Sequence, residues 1–190
     1  TAPTWSDNVN DQTYIQKLRQ FGQTGKSLSL YIHVPFCQSL CTYCGCNKRI
    51  TKNHSVEEGY IDTLIKEFET YVSRISIQPI LKELHLGGGT PTFFNSNNLN
   101  RLLKTILSKV YMSEEKSYSF EAHPASTKFE HLYELYELGF RRLSIGVQDV
   151  SPDILKAINR KQTAEEIKFV TSSARNIGYE SVSYDLIYGL

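Results

Sequence analysis

The chain has 190 residues, with 21 lysines and arginines set against 20 acidic residues, a net charge of +1. That length implies one domain whose core needs no disulfide staples. No basic stripe supports nucleic-acid binding, no apolar run has the length of a membrane span, and no charged-then-apolar leader points to export.

Residues Thr1 to Lys26 are polar, with a helix expected at Asp11–Phe21, led by Asp11 and ended by Gly22 and Gly25. Residues 1–27 are read as an N-terminal arm that Trp5, the single tryptophan, packs onto the body, and 28–190 as the core. From Leu28 onward, β-branched and aromatic runs alternate with amphipathic stretches. Strands are expected at Ser29–Val34, Glu83–Leu86, Ser117–Glu121, Arg142–Val147 and Val182–Ile187. Helices are expected at Val56–Ser73, Ser96–Val110, Thr127–Leu138 and Thr163–Ile177, with a short turn at Pro152–Ile158. Ser96 and Ser151 are read as N-caps, and Gly139 and Gly178 as left-handed residues just past two helix ends. Alternating strands and helices imply right-handed crossovers and a parallel sheet. The fold class is therefore α/β: a partial (β/α) barrel truncated after the fifth strand. The chain stops inside the apolar run Ile187-Tyr188-Gly189-Leu190, which reads as part of something longer. In such folds ligands gather at the carboxyl ends of the strands.

The first strand runs into Phe36-Cys37-Gln38-Ser39-Leu40-Cys41-Thr42-Tyr43-Cys44-Gly45-Cys46-Asn47. All four cysteines lie here, the first three spaced C-x3-C-x2-C. Zinc sites divide their cysteines between two separated pairs, and four on so short a stretch cannot surround one ion without strain. Three thiolates on one loop suit an iron–sulfur cluster, with three ligands for four irons leaving one iron open to a small molecule. A thiolate-bound cluster also implies a reducing compartment, and the cytoplasm is the expected location.

This stretch resembles the signature of the radical S-adenosylmethionine (SAM) enzymes. Tyr31-Ile32-His33-Val34-Pro35-Phe36-Cys37 and Cys44-Gly45-Cys46-Asn47-Lys48 resemble the branch containing oxygen-independent coproporphyrinogen III oxidase. The resemblance implies a 4Fe–4S cluster on Cys37, Cys41 and Cys44. It also implies S-adenosylmethionine held by Tyr31, Tyr43, Gly88, Gly89, Thr90, Glu121, Gln148, Arg160 and Asp185. Gly87-Gly88-Gly89-Thr90-Pro91 is similar to the family segment that lines the methionyl end of the cofactor; Glu121 suits ribose hydroxyls and Arg160 a carboxylate. His123 stands where the family often has aspartate. In this branch a radical removes hydrogen from two propionates, which lose carbon dioxide to become vinyl groups in haem synthesis. The expected partners are a tetrapyrrole substrate and a one-electron reductant protein. Alternatives are a haem chaperone of the related haem-trafficking branch, which usually has phenylalanine at the place of Cys46, or another radical SAM reaction on a tetrapyrrole.

Overall fold

The structure, a computed structural model, describes residues 10–75 and 77–190; the packing expected of Trp5 lies outside them. Helix α1 (Asp11–Gln23) begins at Asn10, whose side chain accepts from Thr13 N at 2.9 Å. Contrary to expectation, the helix runs through Gly22, which is buried within it, and the chain turns at Gly25, where φ is +65°. A missing side chain permits close approach without forcing a stop. Strand β1 (Ser27–Val34) follows, then two short strands, β2 (Phe36–Cys37) and β3 (Arg49–Ile50), which pair with each other. No sequence signal marked this pair, because two-residue strands carry no periodicity.

Helix α2 (Val56–Val72), strand β4 (Ile80–Gly88) and helix α3 (Ser96–Leu107) come next. The N-cap of α3 is Asn95, not Ser96: its Oδ1 accepts from Asn98 N at 2.9 Å. Strand β5 (Tyr111–Ala122) starts six residues before the expected Ser117, and β4 takes in Gly87 and Gly88, which the sequence placed after the strand. Helix α4 (Phe129–Glu137) starts later than expected because the Thr127 hydroxyl donates to His123 O at 2.8 Å. Strand β6 (Phe140–Gln148), helices α5 (Pro152–Ala157) and α6 (Ala164–Ile177), and strand β7 (Ser181–Leu186) complete the order. Ser151 sits at the N-cap of α5 without a side-chain cap bond, whereas Asp149 Oδ1 accepts from Ser151 N at 2.7 Å. Gly139 and Gly178 are left-handed as expected, with φ of +96° and +113°.

The main sheet is parallel throughout, in the order β1-β4-β5-β6-β7. Its two faces follow from alternation along each strand. Ile32 and Val34, Leu84 and Leu86, Tyr118 and Phe120, and Leu143, Ile145 and Val147 are buried in one core with Ile61, Leu102, Leu103, Leu132 and Val170 of the helices. Each fully buried aliphatic or aromatic chain contributes roughly 1.5–3 kcal/mol. The intervening residues, Tyr31 and His33, His85, Ser119 and Glu121, Ser144 and Asp185, therefore fall on the opposite face. Among the described residues no helix is long and apolar enough to cross a membrane.

His131 of α4 lies in the core, 3% exposed, where Nε2 donates to Phe94 O at 2.8 Å and Nδ1 accepts from Lys128 N at 3.0 Å. Both bonds fix the neutral ring. Burial lowers its pKa, outweighing the Phe94 carbonyl, which works the other way. The unfolded chain therefore takes up a proton first, below about pH 6.5, and stability is lost as pH falls through that value. The urea midpoint should drop between pH 7 and pH 5, and His131→Gln should flatten that slope. An identical pH slope in the variant would remove His131 from the account.

Candidate metal and cofactor site

The cysteine loop leaves the carboxyl end of β1 and is held on every side by hydrogen bonds. Arg49 N donates to Pro35 O at 2.7 Å and Thr51 N to Cys37 O at 2.9 Å, so the β2–β3 pair closes its base. Lys48 Nζ donates to Cys44 O at 2.7 Å and to Cys46 O at 3.1 Å, tying the far limb together. On the other side, Thr42 N donates to Ile158 O at 3.1 Å and Asn159 Nδ2 to Leu40 O at 2.7 Å. All four cysteines are free thiols; Cys37, Cys41 and Cys44 are half-buried and Cys46 is exposed. Burial raises the pKa of the Cys37 thiol, partly offset by the Thr90 hydroxyl 3.6 Å from its sulfur. Burial also raises the Cys46 thiol, with Cys44 adding to it.

The loop after β4 packs directly beneath. Gly88 has φ of +117°, and a Cβ there would come within 2.8 Å of the His33 ring. A Cβ on Gly89 would lie 2.8 Å from Pro35 O and 2.9 Å from Cys37 Sγ. Glycine is thus required twice, first by backbone conformation and then by the approach to the first cysteine. Gly89 N donates to Val34 O at 2.8 Å, and the Thr90 hydroxyl donates to Gly89 O at 2.8 Å.

Glu121 reaches the same place from β5. Its Oε2 accepts from Gly88 N at 3.3 Å and its Oε1 lies 3.4 Å from His85 Nε2. His85 in turn meets Ser119 Oγ at 2.8 Å and stacks on Tyr31, with ring centroids 5.8 Å apart. Tyr31 is 54% exposed, and its hydroxyl contacts His33 Nδ1 at 3.0 Å. His33 Nε2 lies 2.8 Å from Asn47 O; a carbonyl can only accept, so Nε2 carries the proton and Nδ1 accepts from Tyr31.

From the end of β6 comes Gln148, with φ of +66°, and from the segment after α5 comes Arg160, which is buried. The guanidinium spans Gly146 O, Gln162 Oε1 at 2.7 Å, Tyr43 Oη at 3.4 Å and Cys41 Sγ at 3.7 Å. Burial pushes the Tyr43 phenol up to about 12, against the pull of Arg160. His123, at the end of β5, is held down to about 3 by burial with Arg160 adding to it. Its Nδ1 accepts from Ala125 N at 3.2 Å, the bond of a neutral, positioned ring. Asp185 stands apart from the rest. It is exposed on edge strand β7, and its contact is the Ser144 hydroxyl at 2.8 Å.

Comparison with known proteins agrees with this arrangement. The model of the radical SAM superfamily matches residues 31–190. The chain belongs to that superfamily. Radical SAM proteins in general use a 4Fe–4S cluster and S-adenosylmethionine. Oxygen-independent coproporphyrinogen III oxidase of Pseudomonas aeruginosa is 37% identical over 192 residues, covering 100% of this chain and 42% of that protein. The Helicobacter pylori enzyme of the same name is 38% identical over 196 residues, with the same coverage of 100% and 42%. The solved structure of coproporphyrinogen III oxidase from Escherichia coli, described as a radical SAM enzyme, superposes with a TM-score of 0.90 at 35% identity. It covers 97% of this chain and 42% of that one. The chain thus spans about two fifths of the length of the relatives it matches.

The residues present fit the radical SAM cofactors. No group of three His, Cys, Asp or Glu side chains among the described residues is gathered closely enough to hold a single metal ion. Thiolates that each take a different iron of a cluster stand farther apart than ligands sharing one ion, and a loop of three free thiols against a bare glycine backbone suits the larger group. Sequence reasoning missed His33, His85, Asn159 and Gln162. The signal for the first two was present: His33 and His85 occupy the polar phase of the alternation in β1 and β4. Asn159 and Gln162 had no such signal, because both act from a loop.

Proposed function

We propose that this chain is the cluster- and cofactor-binding part of an oxygen-independent coproporphyrinogen III oxidase. The observation that carries the reading is the convergence of the cysteine loop, the Gly88–Thr90 segment, Glu121 and Arg160 at the carboxyl ends of β1, β4, β5 and β6. Similarity to enzymes of that name along the whole chain supports it. Cys37, Cys41 and Cys44 would hold the cluster. Together the cluster and S-adenosylmethionine supply one-electron chemistry that cleaves a carbon–sulfur bond and starts the oxidative decarboxylation of two propionates to vinyl groups.

The chain's own residues bind and orient. Gly88, Gly89 and Thr90 offer backbone at close range to the methionyl end, since no Cβ intervenes. Glu121 accepts from hydroxyls once it exchanges Gly88 N for ligand. Tyr31 beside the cysteine loop and Tyr43 within it offer aromatic walls, and Gln148 and Asp185 supply polar contacts at the β6–β7 end. A low-potential reductant protein would deliver the electron, and a tetrapyrrole would be the substrate. A reducing cytoplasm suits free thiols at an exposed loop.

Glu121→Ala and Asp185→Ala should each weaken S-adenosylmethionine binding by ten- to a hundredfold, the loss of a charge-assisted hydrogen bond of about 1.5–3 kcal/mol. Cluster content should not change. Asp185 has one partner against the two of Glu121, so its effect should be the smaller. Calorimetric titration of the reconstituted protein checks both, and unchanged affinity in the pair would make these contacts structural. For the whole protein, anaerobic conversion of coproporphyrinogen III decides the reaction. Tight haem binding without turnover would favour the chaperone instead.

A further inference from the structure

Toward the amino ends of the strands from Glu121, the uncovered face of the main sheet continues with Ser29, Glu83, Ser117, Ser119 and Arg142, none of them buried. Parallel sheets are ordinarily covered on both faces, and the inside of an α/β barrel is ordinarily packed with branched apolar side chains. This face instead suits water or a polar ligand. Register fixes its layout: Ser117 lies beside Glu83, Ser119 beside Arg142, and Glu121 beside Ser144. Arg142 therefore stands one row inward from Glu121, about 7 Å along the strands.

The carboxylates of this face already have donors. Glu83 accepts from Ser29 Oγ at 2.6 Å, Glu121 from Gly88 N at 3.3 Å, and Asp185 from Ser144 Oγ at 2.8 Å. Arg142 has no matching acceptor of opposite charge. Its Nη1 donates to the neutral Ser117 Oγ at 3.1 Å, and no ion pair among the described residues includes it. That bond restrains one arm of the guanidinium and leaves Nε and Nη2, the two donors that meet a carboxylate side-on. The neighbouring Arg141 is turned to the other face, where it lies 3.8 Å over the Tyr136 ring and donates to Tyr136 O at 2.6 Å. Glu83, Glu121 and Asp185 repel a further anion, so Arg142 is the point on this face that attracts one.

Resting on the tetrapyrrole reading above, we infer that Arg142 is a substrate-binding residue whose fork takes a propionate carboxylate of the tetrapyrrole, other than the one presented to the cofactor. A planar guanidinium matches a carboxylate in shape and charge, and holding a remote carboxylate fixes the ring while a different side chain reacts. No bond is made or broken at Arg142, and no proton moves there.

The test uses the whole protein, loaded anaerobically with iron and sulfide, and coproporphyrin III as a stable probe whose binding is followed by fluorescence anisotropy. Arg142→Gln should weaken the probe about tenfold or more, the loss of a charge-assisted pair, while S-adenosylmethionine affinity and iron content stay at wild-type values. Unchanged probe affinity in that variant would overturn the inference. An equal loss of S-adenosylmethionine binding would overturn it as well, since it marks a cofactor contact. Should Arg142→Gln fail to fold, Arg142→Lys decides, because it keeps the charge without the fork. Probe binding weakened several-fold there supports the role, and wild-type affinity rejects it. A wild-type protein that neither binds coproporphyrin III nor converts coproporphyrinogen III would overturn the tetrapyrrole reading itself, a different failure visible before any variant is made.

Discussion

Serine at Cys37, Cys41 or Cys44 should abolish cluster uptake, while Cys46→Ser should load a full 4Fe–4S complement. The first three are half-buried on a loop closed at its base by the β2–β3 pair and at its tip by Ile158 and Asn159; Cys46 is exposed beyond it. A serine hydroxyl is a hard, weakly acidic donor, and it does not replace a soft thiolate toward iron. The effect should be close to all-or-none, since two remaining thiolates lack the third fixed corner. Iron and sulfide counting after anaerobic reconstitution measures it. Full content in Cys41→Ser, or complete loss in Cys46→Ser, would reject the ligand assignment. A bulkier change behind the loop should act in the same direction: a Cβ at Gly89 would press on both Pro35 O and Cys37 Sγ.

The parts of the molecule legible in the sequence were those with a period or a fixed spacing. Alternation marked the strands, and 3, 4 and 7 spacing marked α2, because both patterns are repeated many times along one element. The cysteine spacing and the triple glycine were readable because each is a compact run of one residue type, although the contacts that require Gly88 and Gly89 are made to His33, Pro35 and Cys37 far away in the chain. What stayed hidden was set by contacts distant in sequence. Asn159 meets Leu40, and Arg160 meets Cys41, across a separation of 119 residues in each case. Arg160 was legible only as a cation suited to a carboxylate, and its burial against the cysteine turn depends on where β6 places the next loop. The start of β5 was misplaced for a related reason. Tyr111 and Met112 pair with Ile80 and Leu81, and the register then shifts before Ser117 meets Glu83, so the strand's polar middle masks its continuity.

Glu57 was hidden most completely, and its removal should cost the fold more than any surface change. In the sequence it is a glutamate in the first turn of α2, where acidic residues favour the helix dipole. In the structure it is 0% exposed. Its Oε2 accepts from Asn95 N at 3.0 Å, Asn95 Nδ2 at 3.0 Å and Asn98 Nδ2 at 2.9 Å, and its Oε1 meets His54 Nδ1 at 2.6 Å. One carboxylate therefore holds the start of α3 onto the start of α2. His54 also stacks on Phe93, with centroids 4.6 Å apart, and Phe93 packs at 5.3 Å on Phe36, the residue before Cys37. Glu57→Ala would take the carboxylate from three donors on the exposed Asn95 and the half-buried Asn98; bonds to a charged group are worth about 1.5–3 kcal/mol each and water makes up part of the loss, so about 3 kcal/mol is expected. For a chain of this size that lowers the melting temperature by roughly 6–12 °C. Glu57→Gln keeps one acceptor oxygen and the volume, and should lose less than half as much. Thermal unfolding followed by circular dichroism compares the three chains. A Glu57→Ala chain melting within about 2 °C of wild type would mean that the asparagines find other acceptors. Because the clasp ends at Phe36, the same variant should also retain its cluster less well at temperatures where it is still folded.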